Sequence, residues 1–398
     1  MFLNRERAYE IMAAHNLTGL VASRPHNITY LTGYERQLGF SLHSSVRAVL
    51  SAQRDAPIVL IIPPVELTAI ASQPQWAEEI VTSGDFWVAI PEKNTLTPLE
   101  TRFRDLWQEK ADNSGAGSLD VLAKVLKRLR MKQGRVAFDE TGVGYALRET
   151  SCPELVPIQG ENIFREIRLV KTPDEVVLVH QSALINEQAG DAMYDACVPG
   201  ASWDEIIRLY AIELARRGAV EKFVSSAPGQ ESSMIFSLQG HGKTLKHGEW
   251  VRHDYGSTYH NYWSDTGRTI SLGEPNARLG SYSAACLRGM QEIEDALKPG
   301  ARSGDLFQLG VETVRKSGIP HYNRSHCGHC IGLEMYEAGG IRPNDDLTLK
   351  AGMVLNVELP YYELGWGGLQ IEDTFLITPT GAERLTTCDR ALIVNEPA

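Results

Sequence analysis

The chain has 398 residues, 43% of them apolar and 22% charged, which is typical of a globular protein with two or three domains. Its formal net charge of −11 disfavours nucleic acid as a partner, because a phosphate-binding surface needs clustered Lys and Arg. No apolar run approaches the ~20 residues of a membrane span, and residues 1–16 carry too many charges for a signal peptide. We therefore expect a soluble, cytoplasmic protein that binds neither nucleic acid nor membrane.

The cysteines also favour a cytoplasmic location. They are scattered along a large chain and do not form a disulfide framework, which favours a reducing environment. The six are Cys152, Cys197, Cys286, Cys327, Cys330 and Cys388.

The first 160 residues alternate between helical and strand patterns and contain no cluster of catalytic residue types. Apolar runs of strand length, bounded by turn residues, predict a mainly buried sheet and therefore an α/β domain over residues 1–160. The predicted helices are 5–15 and 118–131, and the predicted strands are 20–22, 46–50, 58–62 and 135–138.

A domain boundary is predicted within residues 163–173, so that the second domain covers residues 161–398. Thr172 is suited to cap a helix, and Pro173 is suited to its first position. Asp174 and Glu175 favour the first helical turn, because negative charge stabilises a helix N-terminus. The helix is expected to continue to about Cys197.

The second domain contains a duplication. Pro199-Gly200-Ala201 precedes a predicted helix that ends at Gly218, and Pro299-Gly300-Ala301 precedes another that ends at Gly318. Ser202 and Ser303 are the candidate N-caps of these two helices. The repeat is too long for a solenoid and indicates one domain built from two halves, related by a pseudo-two-fold axis.

Each half also carries a ten-residue segment with the pattern Leu-Lys-x-Gly-x5-acid. Residues 245–254 end at Asp254, and residues 349–358 end at Glu358. A second acid follows each one, Asp265 in the first half and Glu372 in the second. We expect each pair of acids to lie on two antiparallel strands, 251–254 with 262–269 and 354–360 with 369–377.

Four carboxylates and one histidine, His329 in a glycine-rich setting, are suited to two divalent cations. Four unpaired acids brought together would repel one another and would be costly to desolvate. Two-metal hydrolases place their ions ~3.5–4 Å apart and share a bridging water or hydroxide, whose pKa the ions lower. The oxygen-rich ligand set favours Mn, Co, Fe or Zn over metals that prefer thiolates, and the imidazole argues against a pure Mg or Ca site. Our first choice is Mn.

Several segments resemble the creatinase–prolidase–methionine aminopeptidase family, the pita-bread metallopeptidases. Residues 25–33 resemble the Asn-Ile-x-Tyr-Leu-Thr-Gly stretch of its N-terminal creatinase-type domain, and residues 168–175 resemble the entry into its catalytic domain. Residues 262–269 are similar to Tyr-x-Ser-Asp-x-Thr-Arg-Thr, and residues 328–332 to Gly-His-Gly-x-Gly. The resemblance implies a creatinase-type α/β domain followed by a pseudo-two-fold pita-bread catalytic domain.

The resemblance also implies roles for individual residues. Asp254 would bind one ion, His329 and Glu358 the other, and Asp265 and Glu372 would bridge the pair. Glu358 would also act as general base. The family implies a homodimer and a metal-bridging hydroxide that cleaves a C–N bond in a peptide with proline second.

Two further residues are candidates for contact with the substrate. His241 precedes Asp254 by 13 residues, about where the family keeps a substrate-contacting histidine, and Tyr336 could donate a hydrogen bond. Trp366, in a glycine-rich loop, is a candidate pocket wall. Each of these three could instead be an ordinary loop or core residue.

Departures from the family pattern leave the substrate open. Tyr336 and Gln370 stand where the family's Xaa-Pro peptidases usually carry His and Arg. Ser325 replaces an upstream histidine, with His326 one residue later, and Cys330 replaces a glycine. The alternative to an Xaa-Pro peptidase is a relative that acts on a small nitrogen or sulfur metabolite, as creatinase, ectoine hydrolase and a dimethylsulfoniopropionate lyase do.

Overall fold

The computed structural model describes residues 2–35, 46–72, 76–90, 94–109, 116–234 and 242–395. The chain divides into two compact units, Met1–Arg168 and Leu169–Ala398. Arg168 lies inside the segment in which the sequence places the domain boundary. Within the described ranges, no helix combines the length and the apolarity needed to cross a membrane.

The first unit alternates helices and strands, as the sequence predicts. Its helices are α1 Arg5–Ala14, α2 Pro25–Thr32, α3 Leu67–Ser72, α4 Pro98–Glu109, α5 Ser118–Arg128, α6 Thr141–Thr150 and α7 Glu161–Arg168. Its strands are β1 Gly19–Ala22, β2 Arg47–Ser51, β3 Val59–Ile62, β4 Glu79–Thr82, β5 Gly134–Phe138 and β6 Leu155–Gln159.

These six strands form one mixed sheet in the order β4-β3-β2-β1-β5-β6. The central strand β1 is buried at every residue and pairs parallel with β5 and antiparallel with β2. Burial on both faces explains why its sequence is a continuous apolar run rather than an alternating one. Helix α5 packs its apolar stripe, which includes Val121, Leu122 and Val125, into the same core.

The family-like stretch at residues 25–33 forms helix α2, and its asparagine is structural. Asn27 donates a hydrogen bond from Nδ2 to Asp139 at 2.9 Å, and the same carboxylate accepts the backbone N–H groups of Ser23 and Arg24. Gly33 ends the helix with a φ of +69°, and a Cβ there would lie 2.6 Å from the ring of Trp76. Glycine is therefore required at this turn.

Among its described residues, the second unit contains four long helices and the larger sheet. The helices are α8 Pro173–Ala196, α9 Trp203–Arg216, α10 Ala277–Ala296 and α11 Ser303–Lys316. The strands are β7 Val220–Val224, β8 Ala227–Pro228, β9 Trp250–Tyr259, β10 Tyr262–Leu272, β11 Gly328–Cys330, β12 Val354–Glu358, β13 Tyr361–Glu363, β14 Gly367–Leu369, β15 Glu372–Ile377, β16 Ala382–Arg384 and β17 Ile393–Asn395.

The predicted helix caps agree with the structure in part. Thr172 caps α8 in a capping box with Glu175, which reaches back to the Thr172 N–H at 2.8 Å. Ser202 occupies the N-cap of α9 but makes no side-chain capping bond. The prediction for Ser303 is wrong: Arg302 is the N-cap, and Ser303 is the first helical residue with its hydroxyl bonded to the Asp345 carbonyl.

The duplication is visible in the backbone. Gly200 and Gly300 have φ values of +87° and +88°, and Gly248 and Gly352 have +80° and +87°. The Gly200 N–H bonds to the Leu245 carbonyl at 2.8 Å, and the Gly300 N–H bonds to the Leu349 carbonyl at 2.9 Å. The same unit of two helices and a strand pair therefore occurs twice. It is formed first by α8–α9 with β9–β10 and then by α10–α11 with β12–β15.

The strands of both halves join in one sheet of nine strands, whose main path is β11-β12-β15-β10-β9-β7. The predicted strand 369–377 is wrong at its start. Residues Gly367–Leu369 form β14, which pairs with β13 in a separate two-stranded sheet, and β15 begins at Glu372. Helices α10 and α11 cover the second half of the sheet in a core that includes Met290, Ile293 and Val314.

The packing of α8 on the sheet gives a stability test. Gly190→Ala should destabilise the protein by about 2–3 kcal/mol, because the new Cβ would lie 2.1 Å from Oη of Tyr255. Tyr255 is fully buried, and its hydroxyl lies 2.5 Å from that of Tyr194. Urea unfolding measures the change. Gly280→Ala on α10 is the control, since nothing lies within 4 Å of its added Cβ and helix propensity improves by about 0.5–1 kcal/mol.

Candidate metal centre

Strand register places the acids of both halves in one row. Glu358 on β12 pairs with Glu372 on β15, Glu372 pairs with Gly267 on β10, and Gly267 pairs with Asp254 on β9. Side chains directly opposite on neighbouring strands share a face. Asp265 is two residues before Gly267 on β10, so it lies on that face as well. The sheet therefore brings the four predicted carboxylates together.

His329 reaches the row from β11. It pairs with Asn356, which lies on the same face of β12 as Glu358, two residues further on. The imidazole Nε2 is 3.6 Å from Oδ2 of Asp265 and 3.9 Å from Oε1 of Glu372. One ligand atom each from Asp265, His329 and Glu372 lie within 4.8 Å of one another, and all three residues are buried. We call these three residues the convergent trio.

The trio is suited to a divalent cation. Oδ1 of Asp265 is buried and has no hydrogen-bond partner among the described residues. Burial raises the pKa of Asp265 and of Glu372 well above the ordinary range, and the neighbouring carboxylates raise both further. Burial lowers the pKa of His329, which keeps the imidazole neutral and able to bind a metal. A bound divalent cation would supply the missing partner and the missing charge.

Neutral amides orient Glu372. Asn356 donates from Nδ2 to Oε1 at 3.1 Å, and Gln370 donates from Nε2 to Oε2 at 3.0 Å. Gln370 thus supports the glutamate at the position where the resemblance leads one to expect an arginine. Gly267 makes room for the side chain of Gln370, since a Cβ at residue 267 would lie 2.0 Å from Cγ of Gln370. Fixing the ligands in this way favours one coordination geometry.

The other two acids each face an arginine. Arg252 lies 3.7 Å from Asp254, measured from Nη1 to Oδ2, while Arg324 donates from Nη2 to Oε2 of Glu358 at 2.9 Å. His326 reaches the second oxygen of Glu358, with Nε2 2.6 Å from Oε1. Neither these two arginines nor a contact between His326 and Glu358 was inferred from the sequence.

These partners separate the pKa values of the two acids. Burial raises the pKa of Asp254 to about 7, although Arg252 opposes the shift. Burial also acts to raise the pKa of Glu358, but the hydrogen bond from His326 and the charge of Arg324 outweigh it and lower the value to about 2. Glu358 is therefore a carboxylate at neutral pH.

A cavity of about 490 Å³ opens onto the acids. Its walls are largely aromatic and apolar, formed by Phe223, Trp263, Met335, Tyr336 and Tyr362. Apolar walls with a few convergent polar groups are typical of small-molecule sites.

The remaining sequence candidates differ in where they lie. Tyr336 lines the cavity with 41% of its surface exposed, and its ring centroid is 4.2 Å from that of His329. His241 lies outside the described residues. Trp366 packs against Trp250 and Tyr282 and is not among the residues that line this cavity, so its prediction as a wall of the site is wrong.

Comparisons with known proteins identify the family. Residues 178–379 match the model of metallopeptidase family M24, and residues 4–170 match the creatinase/prolidase N-terminal domain. The chain belongs to metallopeptidase family M24 and is a metallohydrolase with a creatinase N-terminal domain and a pita-bread domain. The family resemblance drawn from the sequence is confirmed, and family membership implies divalent metal ions.

Individual relatives agree with this assignment. An Xaa-Pro dipeptidase from Pyrococcus furiosus is 29% identical over 235 residues, which cover 58% of this chain and 67% of that protein. A solved Xaa-Pro dipeptidase from Bacillus anthracis has a TM-score of 0.76 at 23% identity and covers 98% of both chains. A solved prolidase from Pyrococcus furiosus has a TM-score of 0.73 at 23% identity, over 96% of this chain and 99% of that one. The two structural matches show the shared fold.

The electrostatics of the site predict an unusual pH dependence for chelated protein. With divalent ions removed, the free energy of unfolding should fall by about 1–3 kcal/mol as pH rises from about 4 to about 7. Asp254 has a pKa of 3.8 when unfolded and about 7 when folded, so the folded state binds more protons in this window. The raised pKa values of Asp265 and Glu372 add to this loss. The opposite contribution of Glu358 lies below pH 4.5, and that of the buried, neutral His329 and His253 ends at about pH 6.5. Urea unfolding in chelator at several pH values measures the slope.

Two controls belong to this measurement. Adding Mn²⁺ should remove most of the loss, because the ion compensates the ionised acids. Asp254→Asn should flatten part of the slope in chelator, since that side chain no longer titrates. A chelated wild-type protein whose stability rises over the same window would contradict the prediction.

Proposed function

We propose that this protein is a two-metal hydrolase of the Xaa-Pro dipeptidase or aminopeptidase type, which cleaves the C–N bond before a proline. The observation that carries the proposal is the convergence of Asp265, His329 and Glu372 around an unpartnered carboxylate oxygen. The names of the relatives, which include Xaa-Pro dipeptidases, support the substrate class.

The proposed roles follow the row of acids. Asp254 would hold one ion, His329 and Glu358 the other, and Asp265 and Glu372 would bridge them, with Mn as first choice and Co, Zn or Fe as alternatives. Two such ions, when bound, supply a hydroxide nucleophile from water at neutral pH. Glu358 lies at the cavity and would also act as general base, as the family resemblance implies.

The cavity walls support a small, largely apolar substrate. The rings of Phe223, Trp263 and Tyr362 offer apolar surface against which a proline ring can pack. Tyr336 lies beside His329 at the cavity, and its hydroxyl would donate a hydrogen bond to the substrate carbonyl. We also propose that His241 contacts the substrate, as its distance from Asp254 along the chain suggests.

A second candidate is hydrolysis or lysis of a small nitrogen or sulfur metabolite at the same metals. Residues at and near the cavity support this second candidate function. Arg324 and His326 occupy its wall, and Tyr336 and Gln370 replace the His and Arg that the family's Xaa-Pro peptidases usually carry. These changes leave the five proposed ligands in place and alter the surroundings of the substrate.

A substrate panel separates the two candidates. Purified protein loaded with Mn²⁺ or Co²⁺ is assayed against Xaa-Pro dipeptides and tripeptides, and against a set of small amidino, amide and sulfonium metabolites. We expect turnover of at least one Xaa-Pro peptide, with His329→Ala reducing kcat/KM by about 10³-fold or more through loss of a metal ligand. Elemental analysis of the same samples should show at least one ion fewer in the variant.

The matched control is His247→Ala, which removes an exposed histidine outside the candidate centre and should leave both activity and metal content unchanged. Wild-type protein that turns over no proline peptide but does turn over a metabolite would replace the first candidate with the second. Full activity of His329→Ala would contradict the ligand assignment.

We further propose that the protein is a cytoplasmic homodimer. The family resemblance suggests the dimer, and the six cysteines, all unpaired in the structure, suit a reducing compartment. Light scattering at micromolar concentration should give about twice the 44.1 kDa chain mass. A monomeric mass would rule the dimer out.

A further inference from the structure

The basic residues that line the cavity, apart from the proposed ligand His329, differ in their partners. They are Lys222, Arg324 and His326. Arg324 donates to Oε2 of Glu358 at 2.9 Å, and His326 lies 2.6 Å from Oε1 of the same carboxylate. Lys222 forms no ion pair with any described residue, and its ammonium faces the ring of Trp263. Lys222 is therefore free to bind an anionic group that enters the cavity.

A β-bulge gives Lys222 its place at the cavity. Glu221 of β7 pairs with Ser257 of β9. Phe223 pairs with the neighbouring Gly256, so Lys222 is an extra residue with no partner on β9. Successive side chains of a regular strand point to opposite faces, and a bulge redirects them. Lys222 and Phe223 consequently both line the cavity although they are consecutive.

The ring of Trp263 orients the ammonium of Lys222. Trp263 precedes Asp265 by two residues on β10, so its ring lies on the same face of the sheet as the acids. Its backbone N–H donates to the Gly332 carbonyl at 2.8 Å, which fixes the strand at this point. Nζ of Lys222 is 5.7 Å from the ring centre, within the range of a cation–π interaction.

Strand order sets the distance between Lys222 and the convergent trio. Asp265 of β10 pairs with Gly256 of β9, and Gly256 pairs with Phe223 of β7. Neighbouring strands are ~5 Å apart, so Phe223 and the adjoining Lys222 lie about two strand spacings from Asp265. An extended dipeptide is at most ~7 Å long, and the lysine side chain covers the remainder. A dipeptide with its amide bond at the acids therefore brings its C-terminus close to Lys222.

We propose that Lys222 binds the free carboxylate of the substrate and makes the enzyme prefer a dipeptide that ends at proline. The proposal rests on the proposed Xaa-Pro peptidase function and selects its dipeptidase form over its aminopeptidase form. Charge complementarity supports it, because a zwitterionic dipeptide would place its negative end at the one lining cation that lacks an acidic partner among the described residues.

The test compares Ala-Pro with Ala-Pro amide, which share the scissile bond and differ in the charge at the C-terminus. With Mn²⁺-loaded full-length protein, wild type should show a kcat/KM about tenfold higher for the acid than for the amide. Lys222→Met should lower kcat/KM for the acid about tenfold more than for the amide, mainly through a higher KM. Because Lys222 is exposed, added salt should reduce the preference of wild type.

Matched variants separate the charge from the side chain. Lys222→Arg keeps the charge and should keep the preference for the acid, whereas Lys222→Glu should reverse it. Lys316→Met is the control, since Lys316 lies on α11, is 78% exposed and pairs with Glu312. It makes the same substitution away from the cavity and should leave the preference unchanged. Circular dichroism checks the fold of each variant.

The outcomes distinguish this proposal from the proposed function. Wild-type protein that turns over neither peptide would overturn the Xaa-Pro peptidase function, and calorimetric binding of the same two peptides then tests Lys222 without turnover. Equal kcat/KM or equal affinity for acid and amide in wild type would overturn the role of Lys222. A preference that Lys222→Met retains would do so too, and would leave Lys222 as a lysine that protects the edge strand β7 from further pairing.

Discussion

The structure of the second unit depends on the cost of burying several carboxylates side by side. Asp265 and Glu372 are almost completely removed from solvent, and Asp254 and Glu358 are mostly buried. Ionised acids in such a place require compensating positive charge, and the protein provides it unevenly, with arginines at two of the acids and none among the described neighbours of the other two. The need for a bound cation follows from this imbalance.

The register of the strands, and not the reach of long flexible side chains, brings the acids together. Four neighbouring strands present Glu358, Glu372, Gly267 and Asp254 at one level, and Asp265 and His329 complete the face. The glycine at 267 is part of the arrangement, because the space that a side chain would take is filled by Gln370, which in turn holds Glu372. The side chain of Gln370 thus both fills the space beside Gly267 and orients Glu372 by a hydrogen bond.

The sequence predicted the family, the duplicated halves and the strands that carry the acids, because these features repeat at fixed spacings or match known motifs. It did not predict the start of β15, since the apolar residue Leu369 continues the strand pattern although it belongs to the small β13–β14 sheet. It also missed Arg252 and Arg324. Arg252 could have been noticed inside the repeated segment, two residues before Asp254. The approach of Arg324 to Glu358 depends on the conformation of a loop, which no spacing or motif in the sequence indicates.

The contact between the two halves within the sheet has a consequence for how such a domain can change over time. Strands β10 and β15 are joined through one registered pair, Gly267 with Glu372, and the acids that flank this seam come from both repeats. Neither repeat alone contains all of the proposed metal ligands. A substitution at the seam in one half therefore has to remain compatible with a residue of the other half, about a hundred positions away in the same chain.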